Sequence, residues 1–450
     1  MTSLTSSKPV QGDKRSASAR ETLEQGMPKI AATCAIGTTI EYYDFTLYAI
    51  ATALVFNRIF FPAHDPLVGV LLGFVTFFVG YCARPLGGIV FGHLGDRIGR
   101  KKSLLMTVII MGVATVIVGL IPSYQSIGIW APVTLVTLRF LQGIGIGGEY
   151  GGGMVMVVEH SPTRLRGFYS AFVHIGIPAG LLLPLFLLGV LNAFMSDTAF
   201  MSWGWRIPFL LTIVLLVLGV IIRMQISETP DFVAMRSRGD MEKLPLVTAI
   251  RGHWASILLG IGGRIAESGL FNIYAVFAIA YCVTQMKVPR QAVLNGMILA
   301  SVLECFTLPF FGWLSDKVGR KAVFAGGMIY QAILAWPFFM LLNTGRPLWI
   351  GVALVLALTV GHASVSGPQG AFYSELFPPK VRYTALSLVQ QIGPILGAGV
   401  SPLVATTILK QNWGWPVIAL YMGAMAILAA VCAVFLRHSV HQFDYAEERV

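Results

Sequence analysis

Long apolar runs alternate with short polar segments along the whole chain. Residues 104–121 contain no charged side chain, and residues 181–191, 209–222, 349–358 and 417–436 are similar. A run of about 20 apolar residues is long enough for an α-helix to cross a bilayer. The shorter alternating segments that are typical of membrane β-barrels are not seen in the sequence. The pattern therefore predicts an all-α membrane protein with many spans.

The polar segments divide the chain into twelve predicted membrane helices. Their spans are 30–56, 68–94, 103–122, 130–155, 166–193, 205–226, 254–284, 292–314, 322–342, 347–372, 383–409 and 414–436. One longer polar loop separates six helices from six. The predicted organisation is a tail (1–29), a six-helix bundle (30–226), a middle loop (227–253), a second six-helix bundle (254–437) and a tail (438–450).

The basic residues fall mainly in alternate loops. The loops after helices 2, 4, 6, 8 and 10 hold fifteen lysines and arginines, whereas the opposite loops hold five. Cytoplasmic loops are enriched in these residues. The sequence therefore predicts a multi-pass protein of the cell inner membrane with both termini in the cytoplasm. The first 28 residues are polar and do not have the apolar core of a signal peptide.

Composition excludes several other classes of protein. Charged residues make up 12% of the 450 residues, and hydrophobic residues make up 56%. Soluble domains contain about 25% charged residues. The net charge of +11 is explained by the loops, so we expect no nucleic-acid partner. The five cysteines form no CxxC pair, and we expect no metal site, no disulfide framework and no cofactor.

The two halves repeat each other in sequence. Residues 92–101 (GHLGDRIGRK) recur as residues 312–321 (GWLSDKVGRK), with six of ten positions identical. Residues 159–166 are echoed by residues 375–382, each with a glutamate, a proline and an arginine at matching places. Both repeats occupy equivalent loops of their halves. A parallel duplication of six helices is the layout of the major facilitator fold.

Several motifs carry a closer resemblance. They are EYYDFTLY at 41–48, ARPLGG at 83–88, the 92–101 loop, RFLQGIGIGGE at 139–149 and SWGWRIPF at 202–209. The sequence resembles the metabolite:proton symporter family of the major facilitator superfamily, which includes shikimate, α-ketoglutarate, citrate and proline/betaine carriers. Residues 53–62 (ALVFNRIFFP) are most similar to the shikimate-transporter branch. The resemblance implies a twelve-helix transporter and not an enzyme.

Charged residues inside predicted helices are candidates for proton coupling, because a charge at the centre of a membrane costs about 2.5–3.5 kcal/mol on insertion scales. Glu41 and Asp44 are three residues apart on helix 1, and Arg139 lies on helix 4. In the related sugar porters the matching aspartate and arginine form a proton-coupling pair. The resemblance implies this role for Asp44 and Arg139, and Glu41 is the next candidate. The alternative is a permanent ion pair that only fixes packing.

The candidate substrate-binding residues are polar, basic or aromatic groups within the helices. Arg264 and Glu267 on helix 7 either satisfy each other or meet substrate. His362 on helix 10 is either a packing histidine or a proton carrier. Glu304 and His174 are lone polar groups in apolar runs. The full set of candidates is Tyr42, Tyr43, Tyr48, Arg84, Arg139, Arg264, Glu267 and His362.

The repeated loops are candidates for a gate between the halves. Asp96 can cap the start of helix 3 and pair with basic residues of a neighbouring loop. The resemblance implies that such pairs hold the bundles together when the cavity opens outward, and the alternative is a topology anchor. The predicted gate comprises Asp96, Arg100, Glu159, Arg166, Asp316, Arg320 and Glu375.

One motif suggests a nucleotide site but has the wrong context. Residues 143–148 fit GxGxxG, yet they lie inside a membrane helix without a βαβ unit. Glycines at four-residue spacing instead predict close helix packing. No GxxxxGK[ST] sequence is present, so the energy source is an ion gradient or the substrate gradient itself.

The predicted function is proton-coupled import of a small organic acid by a monomer in the lipid bilayer. Arg84, Arg139, Arg206 and Arg264 favour an anion, since arginine binds carboxylates in a bidentate way. The internal acids equally allow a zwitterion such as betaine or proline, and a facilitator or an exporter has the same fold. A receptor requires an output segment and a membrane enzyme a catalytic cluster, and neither is seen in the sequence.

Overall fold

The computed structural model describes residues 11–61, 66–98, 100–224 and 245–436. Within these ranges the first half contains six long helices. They are α1 (Gln11–Ala51, continued by a π-helical turn at Thr52–Phe56), α2 (Pro66–Ile98), α3 (Arg100–Leu120), α4 (Trp130–His160), α5 (Arg166–Phe194) and α6 (Arg206–Met224). Short helical turns at Asn57–Ile59, Tyr124–Ile127, Thr163–Leu165, Asp197–Ala199 and Phe200–Gly204 connect them.

The second half adds six further long helices in the described ranges. They are α7 (Pro245–Asn272, then Ile273–Phe277 and Ala278–Thr284), α8 (Arg290–Val318), α9 (Arg320–Leu342), α10 (Pro347–Val355, then Leu356–His362 and Ala363–Ser374), α11 (Pro379–Pro394, then Ile395–Gly399 and Ser401–Lys410) and α12 (Trp415–Phe435). The middle segment of α10 and α11 and the second segment of α7 are π-helical turns. The prediction of twelve helices in an all-α fold is confirmed.

Helices satisfy their backbone hydrogen bonds internally, which is what a chain in lipid requires. Of the described helices, α5 to α12 are long and apolar enough to cross a membrane by length and composition, and α2 and α3 hold shorter apolar stretches at Phe78–Phe91 and Leu105–Leu120. Large apolar side chains point outward from the bundle, for example Phe306, Ile333 and Leu420. They form a surface that suits lipid rather than water.

Two helices begin well before the predicted residue, whereas the other starts agree to within a few residues. Helix α1 starts at Gln11, inside the predicted tail, and runs through Pro28 without a break. Helix α7 starts at Pro245, inside the predicted middle loop, but His253 has non-helical angles (φ −135°, ψ 21°). The predicted start of α7 at residue 254 thus lies directly after a kink. Hydropathy locates the apolar part of a helix but does not show how far the helix continues into a polar segment, as α1 does.

Helices α2 and α4 pack unusually closely. A side-chain carbon at Gly147 would collide with the carbonyl of Arg84, and one at Gly143 would collide with the carbonyl of Gly80. At Gly87 the obstacle is the carbonyl of Ile144. Small residues permit this kind of backbone approach in membranes. The packing interpretation of the 143–148 motif is therefore confirmed.

The two halves meet along a limited set of helices. Helix α5 packs against α8 and α10, while α2 and α4 pack against α11. Between these contacts, α1 and α2 of the first half face α7, α10 and α11 of the second across a cavity. The fold therefore places the cavity at the boundary of the two bundles.

Candidate functional site

The central cavity measures about 580 Å³, including open solvent at its mouth. Tyr42 and Arg84 line it from the first half, and Arg264, Glu267 and His362 line it from the second. The rest of the wall is mainly aromatic or apolar and includes Phe45, Tyr81, Ile177, Leu181, Phe271, Val276, Pro394 and Ala398. A few convergent polar groups in an apolar wall are typical of small-molecule sites.

Arg84 is held in the cavity wall by two aromatic rings. Its guanidinium carbon lies 4.7 Å from the centroid of the Phe45 ring and 4.5 Å from that of Tyr81. Cations are attracted to the faces of aromatic rings, more strongly where water is excluded. The side chain is buried, with 8% of its surface exposed. Its charge is thus stabilised by rings that leave its hydrogen-bonding groups available to a ligand.

A buried polar cluster in the first half joins Asp44 to Arg139. Asp44 accepts hydrogen bonds from the hydroxyl of Thr115 and from the amide nitrogen of Gln142, the latter at 3.1 Å. The amide oxygen of Gln142 accepts a hydrogen bond of 3.3 Å from Arg139. Arg139 also lies over the ring of Tyr48, at 4.2 Å from its centroid. A neutral glutamine therefore connects the acid and the base.

The second half contains a longer chain of buried ionisable groups. Arg264 forms an ion pair with Glu267. The other oxygen of Glu267 lies 3.2 Å from Nε2 of His362 and accepts a 2.9 Å hydrogen bond from Ser366. Nδ1 of His362 contacts Glu304. These contacts tie α7, α8 and α10 together at the edge of the cavity.

At one end of the molecule the halves are joined by charged contacts, which we name the basic-side contact. Asp316 at the end of α8 accepts hydrogen bonds of 2.8 Å from the backbone N–H groups of Gly167 and Phe168 at the start of α5. Arg320 contacts Asp316 and Glu375, and it donates to the carbonyl of Thr163. The carboxylate caps the orphan N–H groups of a helix in the other half.

Arg166 completes the basic-side contact, 3.7 Å from Glu375. Burial raises the pKa of the Glu375 carboxyl, although Arg320 and Arg166 act in the opposite direction. Glu375 is therefore more easily protonated than an exposed glutamate. Protonation would weaken its pairing with both arginines.

Comparison with known proteins identifies the family. Residues 34–398 match the model of the Major Facilitator Superfamily. The chain belongs to this superfamily. The Shikimate transporter of Escherichia coli (strain K12) is 37% identical over 406 residues, which are 90% of this chain and 93% of the relative. The Inner membrane metabolite transport protein YhjE of the same strain is 37% identical, with 92% and 95% of the two chains covered.

Other relatives and solved structures agree with this assignment. The Proline/betaine transporter of Escherichia coli (strain K12) is 31% identical, with 93% of this chain and 85% of the relative covered. The structure of the proton:xylose symporter XylE bound to 6-bromo-6-deoxy-D-glucose superposes with a TM-score of 0.78 at 17% identity, covering 92% and 97% of the chains. The protein is thus a multi-pass membrane transporter of the major facilitator superfamily, and not an enzyme.

The structure separates the predicted substrate-binding residues of this transporter into two groups. Tyr42, Arg84, Arg264, Glu267 and His362 line the cavity. Tyr43, Tyr48 and Arg139 are buried elsewhere and do not contribute to its wall.

Tyr43 and Tyr48 lie outside the cavity because they are not on the face of α1 that lines it, which is formed by residues at helical spacing from Tyr42 to Ala49. Tyr43 points away from the cavity side of α1 and donates a 2.7 Å hydrogen bond to the carbonyl of Pro208. Tyr48 donates to Thr76 at 2.8 Å. Both hydroxyls are thus engaged in packing within the first half.

Arg206 also lies outside the cavity of the transporter. It donates to the carbonyls of Ser202 (2.7 Å) and Ile121 (3.3 Å) and lies over the ring of Trp205. These contacts give Arg206 a structural role and remove it from the arginines that favour an anion. Glu41 is buried on α1 and does not line the cavity.

The predicted gate is described only in part. The side chains of Asp96, Arg100 and Glu159 lie outside the described residues, whereas Asp316, Arg320, Arg166 and Glu375 lie in the basic-side contact. Among the residues that the structure describes, no group of three or more His, Cys, Asp or Glu side chains is arranged to hold a metal ion.

Sequence reasoning missed the uncharged members of the buried clusters. Thr115, Gln142 and Ser366 lie in long apolar helices and are almost fully buried. Their only signal in the sequence is a polar side chain within an apolar run. Glu304 and His362, which were treated as separate groups, prove to be in direct contact.

Proposed function

We propose that this transporter is a proton-coupled symporter that imports a small organic acid, such as a shikimate-like mono- or dicarboxylate, across a bacterial inner membrane. The observation that carries the proposal is the pair of arginines, Arg84 and Arg264, which face one cavity from opposite halves. Arginine binds a carboxylate through two parallel hydrogen bonds, which adds energy and orientation. Each half then holds part of the same substrate.

The arrangement of the halves supports alternating access. The basic-side contact joins α5 to α8 at one end, while the cavity lies between the halves farther along. By the positive-inside rule this end faces the cytoplasm, as do both termini. Release of Asp316 from the backbone of α5 would open the cavity toward that side.

Asp44 is the proposed coupling residue, with Arg139 as its partner and Glu41 as the next candidate. Its second carboxylate oxygen is buried and has no hydrogen-bond partner among the described residues. Proton binding at that oxygen would remove a buried charge and weaken the link through Gln142 to Arg139. The cluster lies between α1, α3 and α4, so the change acts on the packing of the first half.

The similarity to the shikimate relative favours an acid as substrate. The aromatic wall of the cavity is also compatible with a zwitterion, which is the second candidate substrate. The Proline/betaine transporter of Escherichia coli (strain K12) is 31% identical to this chain. In addition, the ion pair of Arg264 with Glu267 makes the part of the cavity wall that these two residues form electrically neutral. A zwitterion would meet an arginine at its carboxylate and aromatic rings at its cation. A proton symporter of betaine or proline is therefore the alternative.

The experiment is uptake in cells that express the transporter. We expect competition by shikimate, dicarboxylates or aromatic acids and loss of accumulation when a proton ionophore is added. If only betaine or proline inhibits uptake, the substrate is a zwitterion and not an acid. Accumulation that survives the ionophore, or uptake that only equilibrates the substrate, would instead indicate an exporter or a facilitator of the same fold.

A further inference from the structure

The chain of ionisable groups in the second half has the right composition to bind a proton together with an anion. His362 has a carboxylate oxygen at each ring nitrogen, from Glu304 at Nδ1 and from Glu267 at Nε2. An imidazolium donates from both nitrogens, so this geometry is satisfied when His362 is charged. Arg264 and His362 then neutralise the two glutamates, and the chain carries no net charge.

A substrate carboxylate would disturb this balance. Arg264 and Glu267 both line the cavity, so an acid that reaches Arg264 competes with Glu267 for the guanidinium. An uncompensated charge in a buried site is costly. Neutrality is restored when the displaced Glu267 takes up one proton from the water of the cavity. We propose that Glu267 is a second protonation site, which releases Arg264 to the substrate carboxylate when it binds a proton.

The contacts distinguish Glu267 from Glu304. Glu304 is fully buried, does not line the cavity and contacts His362 directly. The ring of Phe271 lies 4.5 Å from that of His362, centroid to centroid, and covers it. Glu304 also has one buried oxygen without a hydrogen-bond partner among the described residues, but only Glu267 lines the cavity, so a substrate can displace Glu267 and not Glu304 from its partner. Ser366 donates to Glu267 at 2.9 Å and lies 2.8 Å from Nε2 of His362, so it remains a hydrogen-bond partner for both.

The other ionisable groups near the site come from the surrounding helices. Tyr42 of α1 lies beside Arg264, with Arg84 of α2 and Glu41 beyond it. His174 of α5 is buried close to Arg264 and His362. Tyr373 of α10 approaches Arg264, and Cys305 is next to Glu304 on α8. Of these groups, Tyr42 and Arg84 line the cavity together with Arg264 and Glu267.

This inference rests on the proposed function and adds a proton step that is separate from Asp44. The transported proton comes from the water of the open cavity, resides on the Glu267 carboxyl while the acid occupies Arg264, and returns to water when the acid leaves. Binding of acid and proton are then linked, and each increases the affinity for the other by the same factor.

Calorimetric binding of shikimate to the purified full-length protein in nanodiscs, in buffers of different ionisation enthalpy, tests the inference. For the wild type we expect about one proton taken up per shikimate bound, and a Kd that rises by about tenfold per pH unit where Glu267 is deprotonated. Glu267→Gln should bind shikimate at least as tightly, with less than about twofold change over the same pH range and no proton uptake. Arg346→Gln removes a charge far from the cavity and should behave like the wild type.

The outcomes separate this inference from the proposed function. If wild-type protein binds shikimate without taking up a proton, the role of Glu267 is wrong, and this result needs no variant to fold. Weaker binding by Glu267→Gln at every pH would identify a structural ion pair and would also overturn the inference. If the wild type binds neither shikimate nor the dicarboxylates and aromatic acids of the uptake assay, both this inference and the proposed acid substrate fail.

Discussion

At the scale of single residues, the two halves stabilise buried charge in different ways. In the first half the neutral Gln142 lies between Asp44 and Arg139 and hydrogen-bonds to both. In the second half Arg264 and Glu267 pair directly and connect to His362. A neutral bridge weakens the attraction between the two charges, so each responds more independently to its surroundings. A direct pair ties each charge to the state of its partner.

Asp44→Asn should separate proton coupling from substrate movement. Asparagine resembles the protonated acid, so the variant lacks the step that links a proton to the change of state. Protons on Asp44 and Glu267 together with a monocarboxylate carry one net positive charge, so the wild type should reach roughly fiftyfold accumulation in proteoliposomes at an imposed potential of 100 mV. The variant keeps one proton per carboxylate, moves no net charge and should show no accumulation above equilibrium under the same potential. Substrate exchange in the same vesicles should persist. Uphill uptake equal to that of the wild type would show that Asp44 is not the coupling residue. Glu41 would then be the next candidate.

Gln142→Leu should destabilise the first half. Leucine has a similar size but donates no hydrogen bond to Asp44 and accepts none from Arg139, which leaves buried polar groups unsatisfied. The expected loss is about 1–3 kcal/mol in the free energy of unfolding, measured as a lower Tm in detergent. The control is Gln291→Leu, because Gln291 bonds to Asn295 on an exposed part of α8. Equal Tm values for both variants would contradict a structural role for the bridge.

The charged residues of the candidate site were predictable from the sequence. Asp44, Arg139, Arg264 and Glu267 stand out because charges are rare in apolar helices. The orientation of Tyr43 was not predictable in the same way, because a tyrosine has an apolar body and a polar tip and suits either face of a helix. Partners that lie far apart in the chain, such as Asp44 and Thr115, require the packing of three helices and are not encoded in local spacing.

At the scale of helices, glycine determines how the elements meet. Gly143 and Gly147 allow the backbone of α4 to lie directly against that of α2. The contact also fixes the backbone of Arg84, whose carbonyl faces Gly147. Close packing on one side of α2 thereby positions a charged side chain on the other side.

Gly147→Leu should therefore prevent correct assembly. A leucine cannot fit against the Arg84 carbonyl, and separation of α2 from α4 would also displace Arg84 from Phe45 and Tyr81. We expect little folded protein in the membrane, measured by fluorescence-detected size-exclusion chromatography of a tagged transporter. Gly326→Leu on α9 is the matched control, since a side-chain carbon added there meets no atom of the described residues within 4 Å. Similar yields for both would exclude the packing argument.

Asp316→Ala should weaken the basic-side contact. The substitution removes two hydrogen bonds to the start of α5, and loss of a helix cap costs about 0.5–2 kcal/mol. The population closed at this end should fall by a factor of about 2 to 30 relative to the open form. Distances between spin labels on α5 and α8 would measure the shift. Lys317→Gln, the neighbouring exposed charge, should leave the distances unchanged, and an identical distribution for Asp316→Ala would refute the assignment.

At the scale of the whole molecule, the hydropathy pattern predicted the number of helices because each span has to be apolar along its full length. The extra segment of α1 was not predicted because it is polar, whereas the extra segment of α7 is a short apolar stretch that Arg251 and the kink at His253 separate from the rest of the helix. A cavity between the two halves was expected from the internal repeat and from the resemblance. Which side chains form its wall was predicted only in part, because they come from helices that lie far apart in the sequence.

The orientation of the transporter is testable by labelling. In a cysteine-free background, a cysteine at Ser6 or Tyr445 should react with a membrane-impermeant maleimide only after cells are permeabilised, because basic loops remain in the cytoplasm. A cysteine at Thr344 or Gln411, in loops on the opposite side, should react in intact cells. The reverse pattern would invert the topology and move the basic-side contact to the periplasm.

The backbone donors of the basic-side contact have a consequence for evolution. Asp316 binds the N–H groups of residues 167 and 168, which exist whatever the side chain at either position, proline excepted. Pairs of positions that change together in related sequences should therefore not reveal this contact. A chimera that carries α5 from a distant transporter should retain it, provided that position 167 is still glycine, since a larger residue would collide with the carbonyl of Gly312.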